Sequence, residues 1–231
     1  MMDNIIPSIF LILFGYLLGS VPSAYLAGKW LKGIDLRDYG SGTVSGSMVY
    51  EHVAPWAVVP VGVFDMLKAA FPTWLGLQLG LGDGVAAASG LAAAIGHNWP
   101  IFLAFTGGRG LSTFIGMWLV FFPWIFPWML VWLMVGWRLG DSAPMALTAL
   151  VLLPVFSHLL DGPDVMLPTA VAVVIVTLLK RLEANRRPLP EAGPERRRMI
   201  LLRLIFDRDI LDHQAWIRRA PQQNSAEAET M

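Results

Sequence analysis

The chain contains no cysteine and little charge. Its 231 residues include 17 Lys and Arg against 17 Asp and Glu, so that 15% of the residues are charged and the formal net charge is zero. The absence of cysteine excludes disulfide bonds, thiol chemistry and a cysteine-based metal site. The zero net charge gives no indication of a partner, because nine of the basic residues lie beyond Ala184 and eight before it.

Hydrophobic residues are abundant instead. They make up 55% of the chain, which also has ten tryptophans and a mean hydropathy of +0.57. This composition indicates one polytopic membrane domain. The first apolar run has no basic residues before it and exceeds the length of a cleavable signal, so we expect it to be the first transmembrane helix.

Seven apolar segments predict an all-α bundle with about seven membrane spans. In the first segment, Gly15, Gly19 and Ser20 predict close helix packing, and Pro22 predicts a kink. Two segments divided at Pro123 are short for a crossing of roughly 20 residues, so five or six spans remain alternatives. The predicted segments are 5–28, 56–79, 85–105, 111–122, 124–137, 144–158 and 165–179.

The loop charges predict the orientation. With the N-terminus outside and the C-terminus in the cytoplasm, every inner loop is basic and no outer loop contains Lys or Arg. The stretch 40–47, the turn 107–110 and the tail then share the cytoplasmic side. The inner basic residues are Lys29, Lys32, Arg37, Arg109, Arg138, Lys180 and Arg181, and the outer acidic ones are Asp3, Asp83, Asp161 and Asp164.

The glycine-rich turn 107–110 is a candidate phosphate site. Glycines let backbone N–H groups approach an anion, and Arg109 adds a permanent charge. The alternative is a tight turn whose arginine follows the cytoplasmic charge bias. The turn does not match the common P-loop motif, and no strand precedes it.

Two pairs of polar residues lie in apolar segments. Asp65 and Lys68 are three residues apart and share one helix face, which indicates either a functional site or a structural ion pair. His97 and Asn98 are placed about two turns before the inner end of the third span. They would serve as ligands or as contacts between helices.

Five groups of residues in this order resemble the bacterial acyl-phosphate:glycerol-3-phosphate acyltransferase family of integral membrane enzymes. The resemblance covers about residues 10 to 120 well, and the remainder by hydropathy. The groups are Gly19-Ser20-Val21-Pro22-Ser23-Ala24-Tyr25-Leu26, Lys32-Gly33-Ile34-Asp35-Leu36-Arg37, Gly40-Ser41-Gly42, Asp65-Met66-Leu67-Lys68, and Gly96-His97-Asn98-Trp99-Pro100-Ile101-Phe102-Leu103 with Gly107-Gly108-Arg109-Gly110.

The resemblance implies a multi-pass protein of the bacterial inner membrane with a cytoplasmic active site, acting in phospholipid biosynthesis. A fatty acyl group would pass from acyl-phosphate to the 1-hydroxyl of sn-glycerol 3-phosphate, giving lysophosphatidic acid and phosphate. The acyl-phosphate oxygen would take the hydroxyl proton. None of the four histidines has Asp five residues on, in agreement with a family that does not use the His-x-x-x-x-Asp dyad.

The resemblance also implies the site residues and partners. The expected partners are the two substrates and membrane lipids, with no nucleic acid, no cofactor and no metal, and with the oligomeric state left open. The catalytic candidates are Lys68, His97, Asn98 and Ser41. The substrate-binding candidates are Ser23, Arg37, Gly40, Gly42, Thr43, Ser47, Asp65, Gly107, Gly108, Arg109, Gly110 and Asn185. We expect Ser41, Lys68, His97, Asn98 and the 107–110 backbone to meet in one inward-open pocket with Arg37 at its mouth.

Several positions depart from the family pattern. Two asparagines of the first loop are replaced by Thr43 and Met48, and the turn has Arg109 and Thr106 where lysines are common. The histidine that precedes the position of Asn185 is missing. A catalytically inactive relative that binds a lipid phosphate or a protein partner is therefore the alternative. A transporter is a weaker third hypothesis, since no inverted repeat is visible.

The tail is expected to be separate from the membrane domain. We place the membrane domain at 1–181 and a cytoplasmic tail at 182–231. Apolar residues at helical spacing predict an amphipathic helix near 197–219, which either lies on the membrane or packs on the cytoplasmic loops. Residues 221–231 are expected to be disordered.

Overall fold

The computed structural model describes residues 4–218, and all regular elements in this range are helical. The all-α prediction is confirmed. Short 3₁₀ turns at Leu36–Asp38, Pro55–Ala57, Ile101–Leu103 and Ala184–Arg186 connect longer helices. The α-helices are α1 (Ile5–Gly19), α2 (Ser23–Lys32), α3 (Gly46–His52), α4 (Val58–Gln78), α5 (Asp83–Asn98), α6 (Leu111–Leu119), α7 (Ile125–Arg138), α8 (Ser142–Leu159), α9 (Met166–Glu183), α10 (Pro194–Phe206) and α11 (His213–Ile217).

The outer surface of the bundle is apolar. Ile6 and Phe10 of α1 are each more than half exposed, as is Leu67 of α4. Such a surface suits lipid and not water. Within the described range, the stretches long and apolar enough to cross a membrane are Ile5–Lys32, Pro55–Gln78 and Ser142–Leu159, while α7 is shorter. The seven spans and their orientation stay a prediction.

Two predicted segments end early at prolines. The segment 5–28 is divided into α1 and α2 by a bend at residues 20–22, because Pro22 lacks an N–H and disfavours helical geometry in the residue before it. The segment 85–105 is helical only as far as Asn98, and Pro100 follows. His97 and Asn98 therefore lie in the last turn of α5, and their predicted place two turns before its end is wrong.

Helix α5 is the centre of the first half of the bundle. It contacts α1, α4, α6 and α9. A Cβ atom at Gly19 would lie 1.9 Å from the carbonyl oxygen of Ala93, and one at Gly15 would lie 2.3 Å from that of Ser89. The predicted close packing at these glycines is confirmed. It brings the bend at 20–22 against the last turns of α5.

The tail forms two helices, so the single predicted helix near 197–219 is wrong. Helix α10 ends at Asp207, whose φ of 55° is left-handed, and α11 follows six residues later. Arg203 is buried. Its guanidinium lies 2.6 Å from Asp209 and donates to the carbonyl oxygen of Leu182 at 3.0 Å.

The end of the tail packs on the protein's own loops. Trp216 and Ile217 are buried in one cluster with Leu36 and Met48, and the His52 ring donates to the carbonyl oxygen of Ile217 over 2.9 Å. These contacts favour the packing alternative over the membrane-surface one. The residues predicted to be disordered, 221–231, lie outside the described range. The predicted boundary between 181 and 182 stays a prediction.

Candidate active site

Four side chains form a buried polar group where α2, α4 and α5 meet. Ser23 donates to the Asp65 carboxylate over 2.6 Å, and the same oxygen lies 2.9 Å from the Lys68 ammonium. Lys68 Nζ also lies 2.9 Å from Nδ1 of His97 and 3.1 Å from the carbonyl oxygen of Val21. The Asp65 and Lys68 side chains are 5% and 1% exposed. Charges so deep are stable only with partners, and each has several here.

The local sequence explains this arrangement. The spacing of Asp65 and Lys68 places both on one face of α4. At the bend before α2, the carbonyl oxygen of Val21 accepts from the N–H of Ser23 and also from Lys68. An ammonium has donors only, so Nδ1 of His97 accepts from Lys68 in the tautomer that carries the ring proton on Nε2, and Nδ1 also lies 3.5 Å from the Asp65 carboxylate. The group thus orients the imidazole of His97.

The glycine turn packs against the edge of the His97 ring that carries Nε2. A Cβ atom at Gly108 would be 2.2 Å from Nε2, and one at Gly110 would be 2.6 Å from the Asn98 side-chain oxygen. The N–H of Gly108 donates to the carbonyl oxygen of His97 over 3.1 Å. This amide is therefore occupied, and the turn holds the end of α5 in place.

The turn also meets the first loop. Val44 N–H donates to the carbonyl oxygen of Gly107 over 3.3 Å, and the side-chain amide of Asn185 donates to the carbonyl oxygens of Gly42 and Gly107. The predicted meeting of the 40–47 and 107–110 stretches is confirmed. The carbonyl oxygen of Gly40 accepts from the guanidinium of Arg187 over 2.9 Å. These polar contacts make the two glycine stretches one unit.

A row of hydroxyl groups runs along the first loop. Neighbouring hydroxyl oxygens are 2.5 Å apart in Ser41 and Thr43, 3.1 Å apart in Thr43 and Ser45, and 3.0 Å apart in Ser45 and Ser47. We name these four residues the hydroxyl row. Sequence reasoning missed Ser45, although hydroxyl residues at every second position were the signal that could have found it. A hydroxyl can both donate and accept, so members of the row can form hydrogen bonds with a ligand as well as with each other.

The hydroxyl row, His97 and the end of the glycine turn border one cavity of about 650 Å³. Its wall includes the whole hydroxyl row, Asp65, His97, Arg109 and Gly110. Residues of the tail complete the wall, among them Arg208 and His213. Pockets of roughly 300–1,000 Å³ are typical of small-molecule sites.

Four residues predicted for the pocket, Lys68, Asn98, Gly107 and Gly108, do not border this cavity. Lys68 borders a separate space of about 10 Å³ next to Val21, so the single-pocket prediction is wrong for its ammonium. Asn98 is fully buried beneath Gly110, and its amide has no hydrogen-bond partner among the described residues. Lys68 therefore reaches the cavity only through His97, and Asn98 only through Gly110.

Arg37 is not at the mouth of the cavity. Its guanidinium pairs with Asp35 over 2.7 Å and lies over the Tyr25 ring. This hydrogen bond raises the pKa of Arg37 and lowers that of Asp35. The pair is a local ion pair that fixes the turn after α2, and the predicted position of Arg37 is wrong.

Arg109 does border the cavity, but its charge has a partner. Its Nε donates to Asp207 over 2.8 Å and its Nη1 to the carbonyl oxygen of Lys180 over 2.9 Å. A carboxylate from the tail therefore occupies one edge of the guanidinium. Sequence reasoning missed Asp207, because 98 residues separate the two.

The fold and the cavity define an integral membrane protein of helices with a polar site lined by hydrogen-bond donors. The model of the glycerol-3-phosphate acyltransferase family matches residues 9–189. The chain belongs to the glycerol-3-phosphate acyltransferase family.

Curated relatives agree with this assignment. The chain is 44% identical over 115 residues to glycerol-3-phosphate acyltransferase of Parasynechococcus marenigrum (strain WH8102), covering 50% of this chain and 54% of the relative. The chain thus spans about half the length of that protein. It is 32% identical over 221 residues to glycerol-3-phosphate acyltransferase 5 of Dehalococcoides mccartyi (strain ATCC BAA-2266 / KCTC 15142 / 195), covering 93% of each.

A solved structure has the same fold. It is the crystal structure of PlsY (YgiH), an integral membrane glycerol 3-phosphate acyltransferase, in its glycerol 3-phosphate form. The TM-score is 0.70 at 30% identity, and the match covers 78% of this chain and 91% of PlsY. The lysophosphatidic acid form matches with a TM-score of 0.66 at 28% identity.

Proposed function

We propose that this protein transfers a fatty acyl group from acyl-phosphate to the 1-hydroxyl of sn-glycerol 3-phosphate, giving lysophosphatidic acid and inorganic phosphate. The observation that carries the proposal is the position of His97. Its ring is oriented by Lys68 and borders the same cavity as the hydroxyl row. The family supports the same acceptor, since PlsY has been solved in a glycerol 3-phosphate form.

The reaction balances without a cofactor. The 1-hydroxyl oxygen of glycerol 3-phosphate attacks the acyl carbonyl carbon and forms the ester bond. The bond between that carbon and the bridging phosphate oxygen breaks, and inorganic phosphate leaves. The hydroxyl proton passes to the departing phosphate. The protein's part is to hold two anions side by side and to donate hydrogen bonds to the charge that develops on the carbonyl oxygen.

The residues divide by whether they reach the cavity. Ser41, Thr43, Ser47 and His97 border it and would touch the substrates. Lys68 does not border it and would position His97, together with Asp65, which borders the cavity and pairs with Lys68. Asn98, which is buried beneath Gly110, would act through the backbone of the glycine turn.

The orientation predicted from the loop charges completes the proposal. With the C-terminus inside, the cavity opens to the cytoplasm, where glycerol 3-phosphate is a soluble anion. The acyl chain of the donor would lie between helices, against the apolar surface that faces lipid. We therefore place the enzyme in the bacterial inner membrane with about seven spans.

One observation favours an inactive relative as the second candidate. The guanidinium of Arg109 is already paired with Asp207, so a phosphate would have to compete with a carboxylate. This pairing and the missing loop asparagines would both suit a protein that binds phosphate without turnover.

The test is turnover of purified protein in detergent micelles. Acyl-phosphate and glycerol 3-phosphate are supplied together, and both phosphate release and lysophosphatidic acid are measured. Acyl-phosphate alone controls for hydrolysis, and acyl thioester in its place tests the donor class. His97→Asn should abolish turnover, while the matched His158→Asn, in the exposed end of α8, should not. Binding of glycerol 3-phosphate by an unaltered chain that makes no product would establish the inactive relative instead.

A further inference from the structure

The tail forms one side of the cavity, although it lies beyond the part of the chain that the family model matches. That match ends at residue 189. Asp207, Arg208, His213, Gln214 and Trp216 all border the cavity. The tail thus supplies part of the wall of the cavity that the hydroxyl row also borders.

The two charged tail residues in this wall are already paired. Asp207 lies 2.8 Å from Arg109, and Arg208 lies 2.6 Å from Asp141. By contrast, the side chains of His213 and Gln214 have no partner among the described residues. An imidazole and a primary amide both carry N–H donors. The tail therefore leaves these two side chains available to a ligand, together with the N–H groups at Trp216 Nε1 and Arg208 Nε, which have no hydrogen-bond partner among the described residues.

Helix α11 holds these donors in place. Asp212 caps the helix by accepting from the N–H of Ala215 over 3.0 Å. Trp216 and Ile217 are each 9% exposed and anchor the helix on the first loop, where His52 binds the carbonyl of Ile217. A donor on an anchored helix loses little freedom when it binds, which favours recognition.

We propose that His213 and Gln214 bind the phosphate group of one of the two substrates in the cavity that the hydroxyl row also borders. This inference rests on the proposed function, since both substrates carry a phosphate. The phosphate oxygens accept from the imidazole and the amide, and from serine hydroxyls such as Ser45 and Ser47. The tail is then part of the binding site and not an appendage to it.

The experiment compares His213→Ala, Gln214→Ala and the double variant with Ala215→Gln. The last is a matched control, because Ala215 lies in the same helix, is exposed and does not border the cavity. Steady-state kinetics are measured while each substrate is varied in turn. Thermal unfolding in detergent checks that every variant is folded. Calorimetric titration with glycerol 3-phosphate and with inorganic phosphate measures binding without turnover.

A lost hydrogen bond to a charged group corresponds to roughly a ten-fold change in affinity. We expect the KM for one substrate to rise about ten-fold in His213→Ala and further in the double variant, with the other KM and the Ala215→Gln control unchanged. The substrate whose KM rises identifies the phosphate that the tail holds.

Unchanged KM values in folded variants would overturn the inference, and turnover by the unaltered chain would leave the proposed function standing. If the unaltered chain makes no product, the proposed function fails and the titrations decide this inference. Weaker phosphate binding by the double variant than by Ala215→Gln would support it. Equal binding, or no binding by any form, would overturn it.

Discussion

The buried pair of Asp65 and Lys68 provides the sharpest test of the site. Their charged atoms are 2.9 Å apart, and neither side chain is more than 5% exposed. Removing one member leaves the other charge unpaired among helices, which costs about 3–5 kcal/mol. We predict that Asp65→Asn and Lys68→Met each lower the free energy of unfolding by that amount.

Removing both charges together should cost far less. No unpaired charge remains, and Ser23 can still donate to the amide oxygen of an asparagine at position 65. The main loss is the pair of hydrogen bonds from Lys68 to Val21 and His97, at about 1 kcal/mol each. The double variant should therefore lose about 2–3 kcal/mol, against a sum of about 6–10 kcal/mol for independent sites.

Two measurements complete the test. Reversible unfolding of the three variants in mixed micelles of mild and denaturing detergent gives the coupling energy. Turnover then separates structure from function. If Lys68 orients His97, the folded double variant should lose about 100-fold in kcat, since misplacement of a reacting group by about 1 Å has that effect. Additive stabilities would refute the ion-pair reasoning, and full turnover by the double variant would show that the pair is structural only.

Two further substitutions test the turn and the tail. Gly108→Ala should abolish turnover, because its Cβ would lie 2.2 Å from Nε2 of His97, whereas Gly84→Ala, with nothing within 4 Å, should leave it unchanged; equal rates for the two would contradict the proposed position of the imidazole. Asp207→Asn should free the charge of Arg109 for a substrate phosphate and lower one KM by about three- to ten-fold. A higher KM in steady-state assays would mean instead that Asp207 positions Arg109 for the substrate.

Hydropathy predicted the helical fold because lipid leaves a chain few alternatives. Backbone groups in a bilayer must be bonded within the chain, so apolar segments become helices. The small residues at Gly15 and Gly19 likewise predicted a close crossing, which the contacts with α5 confirm. The kink at Pro22 was predicted from the proline itself, but the same windows of hydropathy concealed the break at Pro100. At both places the local rule for proline, and not the apolar average, decides where the helix ends.

The side-chain pairs of the site were predictable where they are local in sequence, and the meeting of the 40–47 and 107–110 stretches was predictable from their shared side of the membrane. The spacing of Asp65 and Lys68 fixed their shared face. Arg203 is buried and donates to the carbonyl oxygen of Leu182, near the end of α9. Helix ends leave such carbonyls without partners, and a sequence does not reveal which distant guanidinium fills them. The pairing of Arg109 with Asp207 escaped prediction for the same reason.

The departures from the family pattern acquire a physical meaning in this cavity. A phosphate needs several donors that are fixed in place and shielded from water, and residue type matters less than geometry. The hydroxyl row offers four hydroxyls to the cavity, and the tail offers the imidazole of His213 and the amide of Gln214. Asn185 is meanwhile occupied in joining the carbonyls of Gly42 and Gly107. A chain with two amides fewer in its first loop and two donors from its tail keeps the number of contacts that a phosphorylated substrate requires. On this reasoning, restoring the loop asparagines should compensate for the loss of His213, which the KM values of the combined variant would show.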